Sequence, residues 1–571
     1  MRNVRAYFLS AFIALFLVGC KTIQTVVVQP NFNEINPTPA KKTDLSDDNF
    51  QIWSHLDITH DSIAGMSLAK AYQFLEGKKS KEVIVAIADS GVDVNHEDLK
   101  DVLWKNTSEV ENNGIDDDKN GYKDDVFGWN FLGNAAGDVV TTDQLEITRL
   151  VKKGNTKFSN IDVATLPEGV KKEANTYLKL LKEYNATIIE KEAEIGKMED
   201  YLITLGIIQQ DFAAVNALAN KKPLTLALVD TLKAPNLQTL VKVKNVANIL
   251  RQGMNENDLN EEHKKVVTYL SELKKAINGY DLEMSFRQNL GDNLYDISDK
   301  YYGNNNVLGT ADAAKHGTHV AGIVAANRTN AIGAVGVANN VKIMTVRIVP
   351  DGDEHDKDVA LGIKYAVDNG AKIINTSFGK RFSPNKDWVF DAIQYAAAKD
   401  VLIVNAAGND GKNIDKRASY PTDTKDMISE YADNVITIGA SSLSYDKDLP
   451  ASFSNYGKMN VDIFAPGVDI YATTPNDSYE FLSGTSMAAP STAGVAALIR
   501  GYYPNLSAKE VKEIIMNSGV KVNFQVIKPG SQTEENPEGE LVAFSELSVT
   551  GSIVNAYNAL LLANYRLSQK K

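Results

Sequence analysis

Cysteine is nearly absent: the 571-residue chain holds one, Cys20, so an intramolecular disulfide is excluded. Basic residues are in deficit. Lys and Arg number 60 against 73 Asp and Glu, a formal charge of −13. That balance argues against a nucleic-acid binder, which needs cations to offset phosphate charge. Long apolar runs are also lacking. The N-terminal stretch Ala6 to Val18 is too short, with the wrong flanks, for a comfortable membrane-spanning helix. No repeat of a whole domain and no low-complexity tract is visible. The remainder is ordinary: 43% apolar and 23% charged residues fit a globular protein rather than a disordered one. The length suits one large domain with something added.

Arg2 and Arg5 precede the N-terminal apolar stretch, in the order of a secretory signal. Leu17-Val18-Gly19-Cys20 closes it and resembles a bacterial lipobox. The resemblance implies cleavage before Cys20 and lipid on its sulfur. Residues 1–19 are then a signal peptide and 20–50 a polar, lipidated tether. Each buried acyl CH₂ contributes about 0.8 kcal/mol, so more than one chain gives a stable hold. The expected location is outside the cytoplasm, anchored to a bacterial cell membrane.

Val83 to Ala88 is a continuous apolar run closed by Asp89-Ser90-Gly91. Such a run fits a strand buried on both faces of a parallel sheet. Val341 to Val349, Lys372 to Thr376, Val401 to Ala406 and Asn434 to Ala440 repeat the pattern, with helical stretches such as Lys357 to Asn369 and Lys386 to Lys399 between. The expected fold is α/β, a parallel sheet with helices on both faces. It is split into 51–139 and 291–571 by a helical insertion over 140–290. Within the insertion, Ala174, Tyr177, Leu181, Tyr184, Ile188, Ile195, Met198, Leu202 and Leu205 follow 3,4 spacing, broken at Lys191. Leu259, Val266, Leu270, Leu273, Ile277 and Tyr280 form a second seam, broken at His263. Two seams predict a small antiparallel helical subdomain, expected to be a lid, spacer or docking surface without chemistry of its own.

Three segments carry the residue types that peptide hydrolysis needs: a nucleophile, a base and an acid to orient the base. They are Asp89-Ser90-Gly91, His316-Gly317-Thr318-His319-Val320-Ala321-Gly322 and Gly484-Thr485-Ser486-Met487-Ala488-Ala489-Pro490. His316 and His319 stand three apart but have no third ligand at zinc spacing. Ser486 opens a helical pattern, where the N-terminal dipole and its own N–H favour a developing oxyanion.

In this order the three motifs closely resemble the signatures of the subtilisin-like serine proteases (subtilases), the chain order Asp, His, Ser being the known order of that family. The resemblance covers roughly 50 to 135 and 295 to 562, and it implies a subtilisin-like fold. It further implies that Asp89 orients His316, His316 acts as base and then acid, and Ser486 attacks the scissile carbonyl. Asn409, in Asn405-Ala406-Ala407-Gly408-Asn409-Asp410, matches the family's oxyanion-hole amide. Ser377-Phe378-Gly379 resembles the strand that pairs with substrate backbone, and Ala406, Ala407 and Gly408 resemble the opposite pocket wall. Ser419 stands where the family often keeps a small residue at the pocket base, while Lys380 departs from the usual small residue. The expected partners are protein or peptide substrates, and the membrane through Cys20.

The loop Asn112 to Asp125 sets oxygen donors at Asp116, Asp118 and Asn120, then Tyr122 and Asp124, with Gly121 for the turn. Phe127 stands where an EF-hand has Glu, so it is not one. Similar loops in some subtilases bind calcium, and the resemblance implies a structural Ca²⁺. The rival reading is a surface binding or adhesion protein on a dead protease fold, with the insertion as its working part. It requires the loss of a catalytic residue, and none is lost. A glycosidase or esterase fails on the motif around Ser486.

Overall fold

The computed structural model describes residues 45–570. The signal stretch, Cys20 and the tether to residue 44 lie outside the described residues. No helix among the described residues is long and apolar enough to cross a membrane.

Helix α1 (Leu68–Leu75) leads into β1 (Val83–Asp89), and β2 is Gly128–Asn130. Helices α2 (Glu146–Phe158), α3 (Glu168–Leu218), α4 (Leu237–Arg251) and α5 (Glu256–Ala276) follow, all between 140 and 290. Next come α6 (Lys315–Ala325), β3 (Val341–Arg347), α7 (Asp356–Asp368), β4 (Ile373–Thr376), α8 (Lys386–Ala398) and β5 (Leu402–Ala406). Strands β6 (Val435–Ser441) and β7 (Ile463–Pro466) precede α9 (Thr485–Tyr502), α10 (Ala508–Ser518) and α11 (Ala556–Gln569).

The nine-stranded sheet runs β7-β6-β5-β4-β1-β3-β2, extended beyond β7 by the short strands Ser552–Ile553 and Val520–Lys521. All pairs are parallel except the last, at the edge. Successive side chains of a strand point to opposite faces, and here both faces are covered. Val85 and Ile87 pack with Val320 and Val324 of α6 and Val495 of α9. Ala86 and Ala88 pack with Val359 and Ile363 of α7 and Ile393 of α8. That two-sided burial is why β1 reads as an unbroken apolar run. The order reverses between β4 and β3 around β1, which opens a crevice at the carboxyl ends of β1 and β4.

Helix α3 has 51 residues, a span of about 76 Å at 1.5 Å per residue. Tyr177 and Tyr184 of its seam are buried beside α2, and Leu205, Phe212 and Val215 form a separate core with Val243 and Val246 of α4 and Leu259 of α5. An α-helical insertion was expected. Its inner end, however, is not a detached spacer. Leu145 N–H donates to Gly279 O at 2.9 Å, closing the two ends on each other beside the crevice.

Candidate active site

Asp89 is the last residue of β1 and is 1% exposed. Its Oδ1 accepts the Ser90 N–H at 2.7 Å and lies 2.7 Å from His316 Nδ1. Its Oδ2 is buried and has no partner among the described residues. His316 lies in the first turn of α6. Gly317 beside it lets the helix seat on the strand, since a Cβ there would stand 2.2 Å from Gly91 O. Burial disfavours the imidazolium, but the Asp89 carboxylate outweighs it and holds the His316 pKa above the ordinary value. His319 is fully buried, with Nε2 3.0 Å from Glu480 O, and burial pushes its pKa down to about 4. It turns away from His316's partner toward the Ser478–Leu482 strand.

Ser486 is the second residue of α9. Its hydroxyl donates to Ser377 O at 3.1 Å rather than to His316. The Ser377 hydroxyl in turn donates to Ser486 O at 2.9 Å, and Asn375 Nδ2 donates to the Ser377 hydroxyl at 2.9 Å. Pro490 explains the second bond. It lies inside α9 four residues on and has no N–H, so the Ser486 carbonyl lacks its helical donor. Asn409 follows β5, and its Oδ1 accepts from both the N–H and the hydroxyl of Thr485, at 2.8 and 2.9 Å. Asn409 Nδ2 and Ser486 N flank one point beside Gly484, 3.4 and 3.6 Å from where a Cβ would stand. Two N–H donors with one small gap between them can hold an oxyanion.

Of the expected pocket residues, Gly379 and Ser419 line one cavity of about 430 Å³. Phe378, Ala406 and Ala407 do not line it, because their side chains pack into the buried cores. Gly408 N–H donates to the Thr485 hydroxyl at 3.0 Å, so it braces the start of α9. Lys380 lines the cavity, but its Nζ is buried against Glu146 at 2.8 Å, Asp356 at 2.9 Å and Glu354 O at 2.7 Å. Sequence reasoning missed Thr485, and it missed the insertion residues that reach the crevice. The polar break at Lys191 was the one visible signal, and it marked that residue alone.

The acidic loop is ordered differently from the expected ligand set. Asp116 accepts from Asn120 N and Gly121 N, and Asp124 from Asn113 N and Gly114 N. The Tyr122 ring packs with Trp129 and Tyr365. The carboxylates of Asp116 and Asp124 staple the turn, and Glu109 does so too, accepting from Asp117 N, Asp118 N and Asp124 N at 2.9 to 3.1 Å. The oxygens that do converge, all within 4.8 Å, belong to Glu109, Asp118 and Asp125. Asn106 and Asn120 amides bridge Asp118 to Asp125 at 2.9 to 3.2 Å. Burial raises the Asp125 pKa to about 6, against hydrogen bonds from Tyr365, Asn106 and Asn120 that lower it.

A doubly wound, largely parallel sheet with Asp, His and Ser delivered in that chain order defines the class of subtilisin-like α/β proteins. The chain belongs to the subtilase family, whose model matches residues 80–539. It is 38% identical over 253 residues to the cell wall-associated protease of Bacillus subtilis, covering 44% of this chain and 25% of that protein. It is 39% identical over 251 residues to the thermophilic serine proteinase of a Bacillus species, covering 44% of this chain and 52% of that one. Against subtilisin DY of Bacillus licheniformis the identity is 36% over 214 residues, 37% of this chain and 72% of the other. The matched part thus spans a quarter to about half the length of the first two.

Proposed function

We propose that the chain is a serine endopeptidase with Ser486 as nucleophile, His316 as base and Asp89 as orienting carboxylate. The observation that carries the reading is the 2.7 Å bond between His316 Nδ1 and Asp89 Oδ1. It fixes the tautomer that leaves Nε2 unprotonated and able to accept a proton. In this mechanism the Ser486 hydroxyl exchanges Ser377 O for His316 Nε2 as substrate enters, since such bonds often tighten only with substrate bound. Ser486 Oγ attacks the peptide carbonyl while His316 takes its proton. Asn409 Nδ2 and Ser486 N–H then hold the negative oxygen, and His316 returns the proton to the leaving amine. Water repeats the sequence on the acyl-enzyme. Gly379 and Ser419 border the space for the side chain before the cut.

The same proposal anchors the chain outside the cytoplasm through lipid on Cys20 and places a structural Ca²⁺ in the acidic loop. The hard oxygens of Glu109, Asp118 and Asp125 suit such an ion. It has no part in the chemical steps. Reaction with a fluorophosphonate probe, followed by mapping of the modified residue, tests the nucleophile. Modification confined to Ser486 and lost in Ser486→Ala is expected; modification elsewhere, or none, overturns the reading. Growth with a labelled fatty acid tests the anchor, with label lost in Cys20→Ser.

A further inference from the structure

The insertion is fastened to the rim of the crevice at several points. Asp351 donates its N–H to Thr141 O at 2.8 Å and accepts from Asp143 N at 2.7 Å. Gly352, at φ +126, permits that approach; a Cβ would stand 2.1 Å from Asp143 O. Lys275 of α5 pairs with the Asp351 carboxylate. Below, Glu146 of α2 meets Lys380 at 2.8 Å, Arg149 donates to Asp353 O at 3.0 Å, and Asp143 meets His355 at 3.0 Å. A lid needs exposed, weakly held attachments. These are backbone pairs and, apart from the exposed Lys275–Asp351 pair, buried side-chain contacts.

Lys191 breaks the apolar seam of α3, and the structure gives the break a reason. At that point the inward face of α3 meets open space rather than core. Lys191, Leu145 and Tyr280 each line two cavities. One, of about 640 Å³, is shared with His316 and Ser377; the other, of about 430 Å³, with Gly379 and Ser419. Three insertion side chains therefore stand where the two spaces meet. Each space has the size of a ligand pocket, which is typically about 300–1,000 Å³ and far too small for a folded domain.

We propose that the helical insertion is a fixed wall of the substrate cleft, with Leu145, Lys191 and Tyr280 in contact with substrate, admitting extended unfolded polypeptide and excluding folded proteins. This rests on the endopeptidase reading. The full chain carrying Ser486→Ala and Lys191→Cys tests it. Reduced, alkylated α-lactalbumin at about ten times its Kd should slow maleimide modification of residue 191 about tenfold, as occupancy requires. Native α-lactalbumin should not slow it, and Gln210→Cys, further along the same helix, should react at one rate throughout. Glu272→Cys, on the wall of the larger cavity, serves as a second reporter if the first variant does not fold. Absence of protection, or equal protection by native and unfolded protein, overturns the inference. Fluorophosphonate labelling of unmutated Ser486 separates the failures: labelling without protection sinks the wall alone, whereas no labelling sinks the reading beneath it.

Discussion

Ser486 and Ser377 hold each other by two reciprocal hydrogen bonds, each hydroxyl donating to the other's carbonyl at 3.1 and 2.9 Å. The pair exists because Pro490 leaves the Ser486 carbonyl without a helical donor. Ser377→Ala should therefore destabilise the fold by about 1–3 kcal/mol, the cost of an unsatisfied buried acceptor. It should also lower kcat more than it raises KM, because α9 loses its brace at Ser486, the proposed nucleophile. Thermal melts and peptide kinetics check both; an unchanged Tm would contradict the account.

Asn409 does two jobs with its two ends. Oδ1 caps Thr485, while Nδ2 faces the gap beside Gly484. Asn409→Asp keeps the acceptor and removes the donor. The expected result is an unchanged melting temperature with kcat reduced by about 10²–10³, the usual cost of one oxyanion donor. Loss of stability in step with loss of rate would mean the residue is only a cap.

Activity should depend on pH through His316. The base works when neutral, and Asp89 holds its pKa above 6.5 against the effect of burial. The acidic limb of kcat/KM should thus have its midpoint above 6.5. For stability the sign is opposite: the imidazolium–Asp89 pair stabilises the fold below 6.5, and that part is lost as pH rises through the folded pKa. Asp89→Asn should move the limb down and cut kcat by about 10⁴. A rate flat from pH 5 to 8 would sink the assignment.

Much of this was legible early. Strands such as β1, β3 and β5 read as apolar runs because a parallel sheet buries both faces, and the motifs around Asp89, His316 and Ser486 are local strings. The docking of the insertion was not legible. Glu146 and Lys380 lie far apart in the chain, and charged residues read as solvated until a partner is seen. In the acidic loop the 1, 3, 5 spacing suggested ligands, but short Asp side chains satisfy nearby backbone N–H groups equally well. Glu109, one of the three converging carboxylates, lies before the motif.

The Lys380–Glu146 pair predicts how the insertion responds to change. Glu146→Ala leaves the buried ammonium with only one of its two carboxylates and should cost about 3–5 kcal/mol, whereas Glu146→Gln, which keeps an acceptor for Lys380 and Arg149, should cost less. Burial alone would raise the Glu146 pKa, but Lys380 and Arg149 bring it down to about 2. Its stabilisation is present above 4.5 and is lost as pH falls toward 2. Protection of the α2 amides, taken relative to their intrinsic exchange rate at each pH, should fall over that window; equal protection at pH 5 and pH 2.5 would refute it.

Calcium should raise the melting temperature, and chelation should lower it, because an ion bound only to the folded loop stabilises it by mass action. Asp118→Asn should abolish most of the response, and Asp116→Asn much less, since Asp118 alone of the two joins the converging oxygens. Identical responses in the two variants would restore the original ligand set.

Helix α3 meets the cleft along its first half, between Glu183 and Lys191, while beyond Leu205 it carries a core of its own with α4 and α5. It therefore works as a mast: the head can gain loops, change charge or acquire a binding partner while the foot, with Lys191, stays where it is. Reach and chemistry can in this way vary independently along a single run of helix.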